Sequence, residues 1–204
     1  MFRIPGQNVQ SVVPAKPPPT PMEHGLAALL LSPPVQSIDF RFGHINVMPS
    51  GYRAVAQGLI DRRVTIDVNP EELNAIKLPG GPPDGMYVVT ENRIVVPRRN
   101  MFDDPEDIVT LFHEATHVVQ DRMKQVISAV QDEGAAQVAE VWFLKEMGFS
   151  LATKHEMVLE VGEAMYARRQ GKPVVASQTE IYRMNHVVRQ VGGIPDVALV
   201  MDGF

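Results

Sequence analysis

The chain has 204 residues, 45% of them hydrophobic and 21% charged, with a formal net charge of −5. That is enough apolar material for one folded domain of ordinary size. It argues against a nucleic-acid binder, because the longest basic runs are pairs such as Arg62-Arg63, Arg98-Arg99 and Arg168-Arg169. There is no cysteine, so any metal must be held by imidazole and carboxylate, and a reducing compartment is expected.

The first 35 residues hold Pro14, Pro17, Pro18, Pro19, Pro21, Pro33 and Pro34. Prolines lack the N–H that a hydrogen-bond ladder needs, so residues 1–35 read as an irregular arm with at most a short helical turn over Met22 to Leu31. One domain is expected over residues 36–204. Its first strand is Ser37 to Phe42, which alternates polar and apolar residues and extends through Ile45 and Val47. Tyr52 to Ile60 reads as a helix, and Val64 to Val68 as a β-branched strand ended by Asn69-Pro70. Pro79 to Gly85 is a loop on turn chemistry. Met86 to Thr90 and Arg93 to Pro97 form a hairpin, with Asn92 suited to a positive φ.

A long helix is expected from Pro105 to about Lys124, capped by Asp104, with Pro105 at its first position and Glu106 and Asp107 in its first turn. Ile108, Leu111, Phe112, Ala115, Val118 and Val119 give it an apolar face. Further helices follow over Ser128 to Met147, stopped by Gly148, over Lys154 to Arg169, and over Ser177 to Val191. The fold class is therefore α+β, a small mixed sheet with a hairpin packed on one long helix, followed by a helical C-terminal part.

That long helix carries His113-Glu114-Ala115-Thr116-His117. Residues four apart share a helix face, so both imidazoles can meet at one point, with Glu114 placed to act on a water beside a bound Zn2+. A catalytic zinc needs a third protein ligand. Glu133 is favoured, because an antiparallel helix turning near Lys124 to Val126 brings it back level with His117 at about 1.5 Å per residue. Glu140 and Asp132 stay open as alternatives. Glu140 also suits a position behind a histidine. Tyr166, Tyr182, His155 and His186 are candidate oxyanion donors, and Tyr182 and His186 lie four apart on one helix. Trp142 and Phe143 read as core.

With Val118-Val119-Gln120 after the motif and Glu133-Gly134-Ala135-Ala136 on the next helix, residues 86–147 resemble the zinc metallopeptidases called zincins, most closely the gluzincin type. The resemblance implies a zincin-like domain, His113, His117 and Glu133 as zinc ligands, and Glu114 as general base. It also implies an edge strand near Ile94-Val95-Val96 that pairs with a peptide or protein substrate. The expected function is a zinc-dependent metallopeptidase. The rival is a catalytically silent zincin-like module that binds protein or is a delivered effector component. The start, Met1 to Gly6, lacks a charged region followed by a long apolar one, and the apolar run Leu26 to Leu31 is too short to span a bilayer. A cytoplasmic protein without membrane or nucleic-acid partners is expected, and its oligomeric state is left open.

Overall fold

The computed structural model describes residues 16–204 apart from residues 79, 151–153, 192, 195–196, 202 and 204. Within these the chain is α+β, with three small sheets packed around helices.

The helices α1 (Pro21–Leu30), α2 (Pro33–Gln36) and α3 (Pro49–Ile60) come first, with the hairpin strands β1 (Phe40–Phe42) and β2 (Ile45–Val47) between the last two. The sequence reading set the domain boundary at residue 35. The structure moves it, because Leu26, Leu30 and Val35 are fully buried in the core. The prolines begin helices here instead of breaking structure. Pro21 and Pro33 each stand in the first turn, where a missing N–H costs no bond. The part of the expected arm in residues 1–15 lies outside the described residues.

One carboxylate ties α1 down. Thr20 and Glu23 form a reciprocal capping box. Glu23, fully buried, accepts from the Thr20 N–H at 2.6 Å, from Arg62 at 2.5 Å on both oxygens, and from the Ile66 N–H at 3.1 Å. It thus joins the helix to the turn after α3 and to β3 (Thr65–Val68). Burial works against the ionised form, but these donors outweigh it and hold the carboxyl below its usual range.

A six-residue helix, α4 (Pro70–Ala75), follows, capped by the Asn69 side chain. The expected hairpin is present as β4 (Met86–Val88) and β5 (Arg93–Val96), with Asn92 at φ 51°. The sheet order is β3-β5-β4, with β3 parallel and β4 antiparallel to β5. The edge strand expected at Ile94-Val95-Val96 is therefore the central strand. Parallel pairing with β3 covers its far side, and β4 is the edge that packs on the next helix.

That helix, α5 (Pro105–Asp121), begins at Asp104, whose side chain accepts from the Glu106 N–H at 2.9 Å. Lys124 turns the chain at φ 51°, and β6 (Val126–Ser128) leads into α6 (Ala129–Met147), which Gly148 ends at φ 69°. The helices α7 (Glu156–Ala167) and α8 (Gln178–Val191) complete the helical part. Three short strands were not expected: β6, β7 (Val174–Val175), parallel to β1, and β8 (Ala198–Val200), antiparallel to β6. They are two or three residues long, too short to carry a visible alternation.

α6 is the central helix. It packs on α5, α7 and α8, and Val130, Val138, Ala139, Val141, Trp142 and Phe143 are all buried. Phe112 of α5 stacks on Phe143 with ring centroids 4.3 Å apart. Trp142 donates to the Gly162 carbonyl at 3.2 Å, where α7 comes so close that a Cβ on Gly162 would sit 2.7 Å from Val141.

Removing Glu23 leaves the Arg62 cation and two backbone donors without their acceptor. Glu23→Ala is expected to lower the unfolding free energy by about 3 kcal/mol or more, measured by urea denaturation. Because the folded-state pKa of Glu23 is depressed, its contribution is present above the ordinary value of 4.5 and is lost as pH falls below it.

Candidate metal centre

Two features bring α5 and α6 close enough for their polar side chains to meet. Ala115, Ala135 and Ala136 are fully buried small residues, and the buried Gln120 amide donates to the Asp132 carbonyl at 3.1 Å, fixing the start of α6 against α5.

At this junction His113 Nε2 and His117 Nε2 lie 3.1 Å apart. Glu133 sits across from both, with one oxygen 3.5 Å from His113 Nε2 and the other 3.5 Å from His117 Nε2. The three residues offer donor atoms within 4.8 Å of one another. Ligands bound tetrahedrally to one ion at about 2.0–2.1 Å stand about 3.3 Å apart, so the observed spacings are those a small dication needs.

The other two third-ligand candidates lie behind the histidines. Asp132 Oδ2 is 2.8 Å from His117 Nδ1, approaching off the straight N–H direction. Glu140 Oε2 is 3.2 Å from His113 Nδ1. His113 is thus hydrogen-bonded through its outer nitrogen to a carboxylate, the arrangement that orients a metal-binding histidine, and Asp132 lies beside the outer nitrogen of His117 as an ion-pair partner. Glu140 is itself ion-paired with Lys154, from the segment before α7.

Glu114 lines the same cleft, 7% exposed, and its carboxylate accepts the Tyr87 backbone N–H from β4. Gly85 makes this approach possible. A Cβ there would meet Thr110 Cγ2 at 2.8 Å and Glu114 Cγ at 3.1 Å.

The cleft above these groups has a volume of about 670 Å³. Leu78, Met86 and Val89 form one apolar wall, and Ile194, Leu199 and Met201 form the other. The two walls share an anchor in Asp121, buried at the end of α5. It accepts from the Tyr87 hydroxyl at 3.0 Å and from the Gly203 N–H at 3.3 Å.

The expected oxyanion donors are not in this cleft. Tyr182 is 71% exposed on α8, where it stacks on His186, and neither lines the cavity. α8 turns its apolar side, Ile181, Met184, Val187 and Val188, into the core, which leaves Tyr182 and His186 outside. Tyr166 donates to Glu146 at 3.0 Å and lies edge-on to Trp142. His155 caps α7, with Nδ1 accepting from the Met157 N–H. The cleft instead contains Tyr87, Gly85, Gln137 and Lys154, none of which the sequence singled out. Gln137 donates to Glu133 at 2.8 Å, and its spacing of four after Glu133 was a readable signal. Lys154 carried none, since only tertiary packing brings it to Glu140.

The charges of the cluster are mutually dependent. Burial disfavours the His113 imidazolium, but the Glu133 and Glu140 carboxylates outweigh it and raise the His113 pKa to about 10. Burial likewise opposes charge on His117, and Asp132 and Glu133 lift its pKa well above the ordinary value. Glu133 is held well below the usual carboxylate range, because the two imidazoles outweigh its burial. Glu114 moves the other way, since burial raises it more than the imidazoles lower it.

The carboxylates thus favour protonated imidazoles, and protons compete with an ion for the same nitrogens. Affinity for a divalent cation is expected to rise with pH, with net proton release on binding at pH 7. Calorimetry in two buffers of different ionisation enthalpy measures the count. In the metal-free chain the raised His113 pKa contributes stability below about pH 6.5, and this is lost as pH rises through about 10. Comparison of the chain with protein-family models, with curated proteins and with solved structures finds no match.

Proposed function

We propose that the protein is a zinc-dependent peptidase of zincin-like architecture, in which His113, His117 and Glu133 hold the metal and Glu114 is the general base. The observation that carries this reading is the convergence of two imidazole nitrogens and one carboxylate at 3.1–3.5 Å, with Glu114 on the same cleft. The donor set suits zinc, which takes His nitrogen and carboxylate oxygen. The carboxylates behind both imidazoles support the same reading.

Zinc, when bound, supplies a Lewis acid that polarises a carbonyl and makes a water more acidic. The chain's own groups handle the proton. Burial makes the Glu114 carboxylate more basic than an exposed one, and the Tyr87 N–H holds it in place. Glu114 accepts the proton of the attacking water on a carboxylate oxygen and returns it to the departing amide nitrogen. Gln137 and the two imidazoles fix the orientation of Glu133. β4 is an outer strand of its sheet and lines the cleft, a position suited to contact with an extended peptide.

Purified protein is expected to carry one equivalent of zinc by elemental analysis, and His113→Ala and Glu133→Ala are expected to lose it. Glu114→Gln should keep the metal while peptide cleavage falls by about 10²- to 10⁴-fold. Zinc bound without Glu114-dependent cleavage of a mixed peptide library would rule out the enzyme and leave a metal-binding module. Absence of zinc would rule out both. Gly85→Ala pushes a methyl group into Thr110 and Glu114, so its zinc content should stay unchanged while cleavage falls by at least about tenfold, as expected when a general base is displaced.

A further inference from the structure

The cleft wall holds five carboxylates: Asp84, Glu114, Asp132, Glu133 and Glu140. Four are engaged at the metal centre or in its support. Asp84 has no such task. It is exposed and makes no side-chain hydrogen bond or ion pair among the described residues. Arg98 acts on it only at a distance, with its guanidinium bonded to Asp107. Lys154 is the only lysine or arginine lining the cleft among the described residues, and it is paired with Glu140. Asp84 therefore places on the cleft wall a negative charge that no hydrogen-bonded partner among the described residues neutralises.

The position of Asp84 is also specific. It precedes Gly85, whose missing Cβ would lie 3.4 Å from Glu114 Oε1. Adjacent Cα atoms are about 3.8 Å apart, so Asp84 stands one residue from the glycine that abuts the proposed base just ahead of β4. Next to it, Pro83 and Met86 begin the apolar wall.

We propose that Asp84 is a specificity-determining residue that selects peptides with a lysine or arginine close to the cleaved bond, beside an aliphatic or aromatic residue seated on the apolar wall. This rests on the peptidase reading for the cleavage step, but its physical content is charge-selective binding. A carboxylate on the wall attracts a cationic side chain and repels an anionic one, and because it is exposed it contributes through a screened ion pair.

The test uses the full-length Glu114→Gln protein, so that binding is read without turnover. Matched fluorescent peptides carry a central leucine and differ only by lysine or glutamate at each flanking position, and anisotropy gives Kd. At low salt the lysine peptide should bind about threefold to fivefold tighter than its glutamate twin at one or two positions, and the gap should narrow at high salt. Asp84→Asn, added to the same protein, should close the gap, and Asp84→Lys should reverse it. Their melting temperatures should match the parent, because Asp84 is exposed. Equal binding of the two peptides, binding of neither, or a gap that persists in Asp84→Asn would overturn the inference. Cleavage by the unmodified chain is followed separately. If charge selection is present and cleavage is absent, the peptidase reading fails and the cationic-peptide site stands.

Discussion

The structure depends on burying acidic side chains along α6. α6 is surrounded on most sides by hydrophobic neighbours, yet Asp132 and Glu140 are buried on it and Glu133 is nearly so. Isolated carboxylates in such a place cost several kcal/mol each. The cost is offset only if positive charge lies within hydrogen-bonding distance, and α5 provides it through His113 and His117. The packing of α5 on α6 is therefore set by charge matching as well as by the stacking of Phe112 on Phe143.

The same carboxylates raise the proton affinity of both imidazoles, because an imidazolium beside them is stabilised against the cost of burial. Lys154, paired with Glu140, adds a positive charge from outside these two helices.

Around this centre the rest of the fold places walls. The sheet β3-β5-β4 presents β4 to α5, and the absence of a side chain at Gly85 lets its start come against Glu114. The C-terminal strand β8 pairs with β6, just ahead of α6, and closes the other side through Leu199 and Met201. Asp121 holds both walls, one through Tyr87 and one through Gly203. The cleft is thus framed by the end of the helix that carries the histidines. The N-terminal helix supports the far side through Glu23 and Arg62, which is why it belongs to the domain despite its prolines.

Local chemistry was legible in the sequence. The cap at Asp104, the αL residues Asn92 and Gly148, the hairpin and the long helices each follow from short-range geometry, and α5, α6 and the β4–β5 hairpin lie close to where the pattern put them. The convergence of Glu133 on the two histidines could be reasoned from helix rise and turn length, because it involves two consecutive elements. What needed the tertiary structure was whatever joins distant segments or depends on which side of an element faces inward. Proline content cannot tell an arm from a helix that starts with proline, since burial of Leu26 and Leu30 decides it. Strand order made β5 central and β4 the edge. Helix rotation put Tyr182 and His186 in solvent, although their spacing was right for a shared face. Chain return brought Lys154 to Glu140 and Gly203 to Asp121. The sequence determined the pair of histidines and the glutamate between them, because one helical turn places them. Only the folded chain decided what surrounds them, because those contacts depend on packing between residues far apart in the chain.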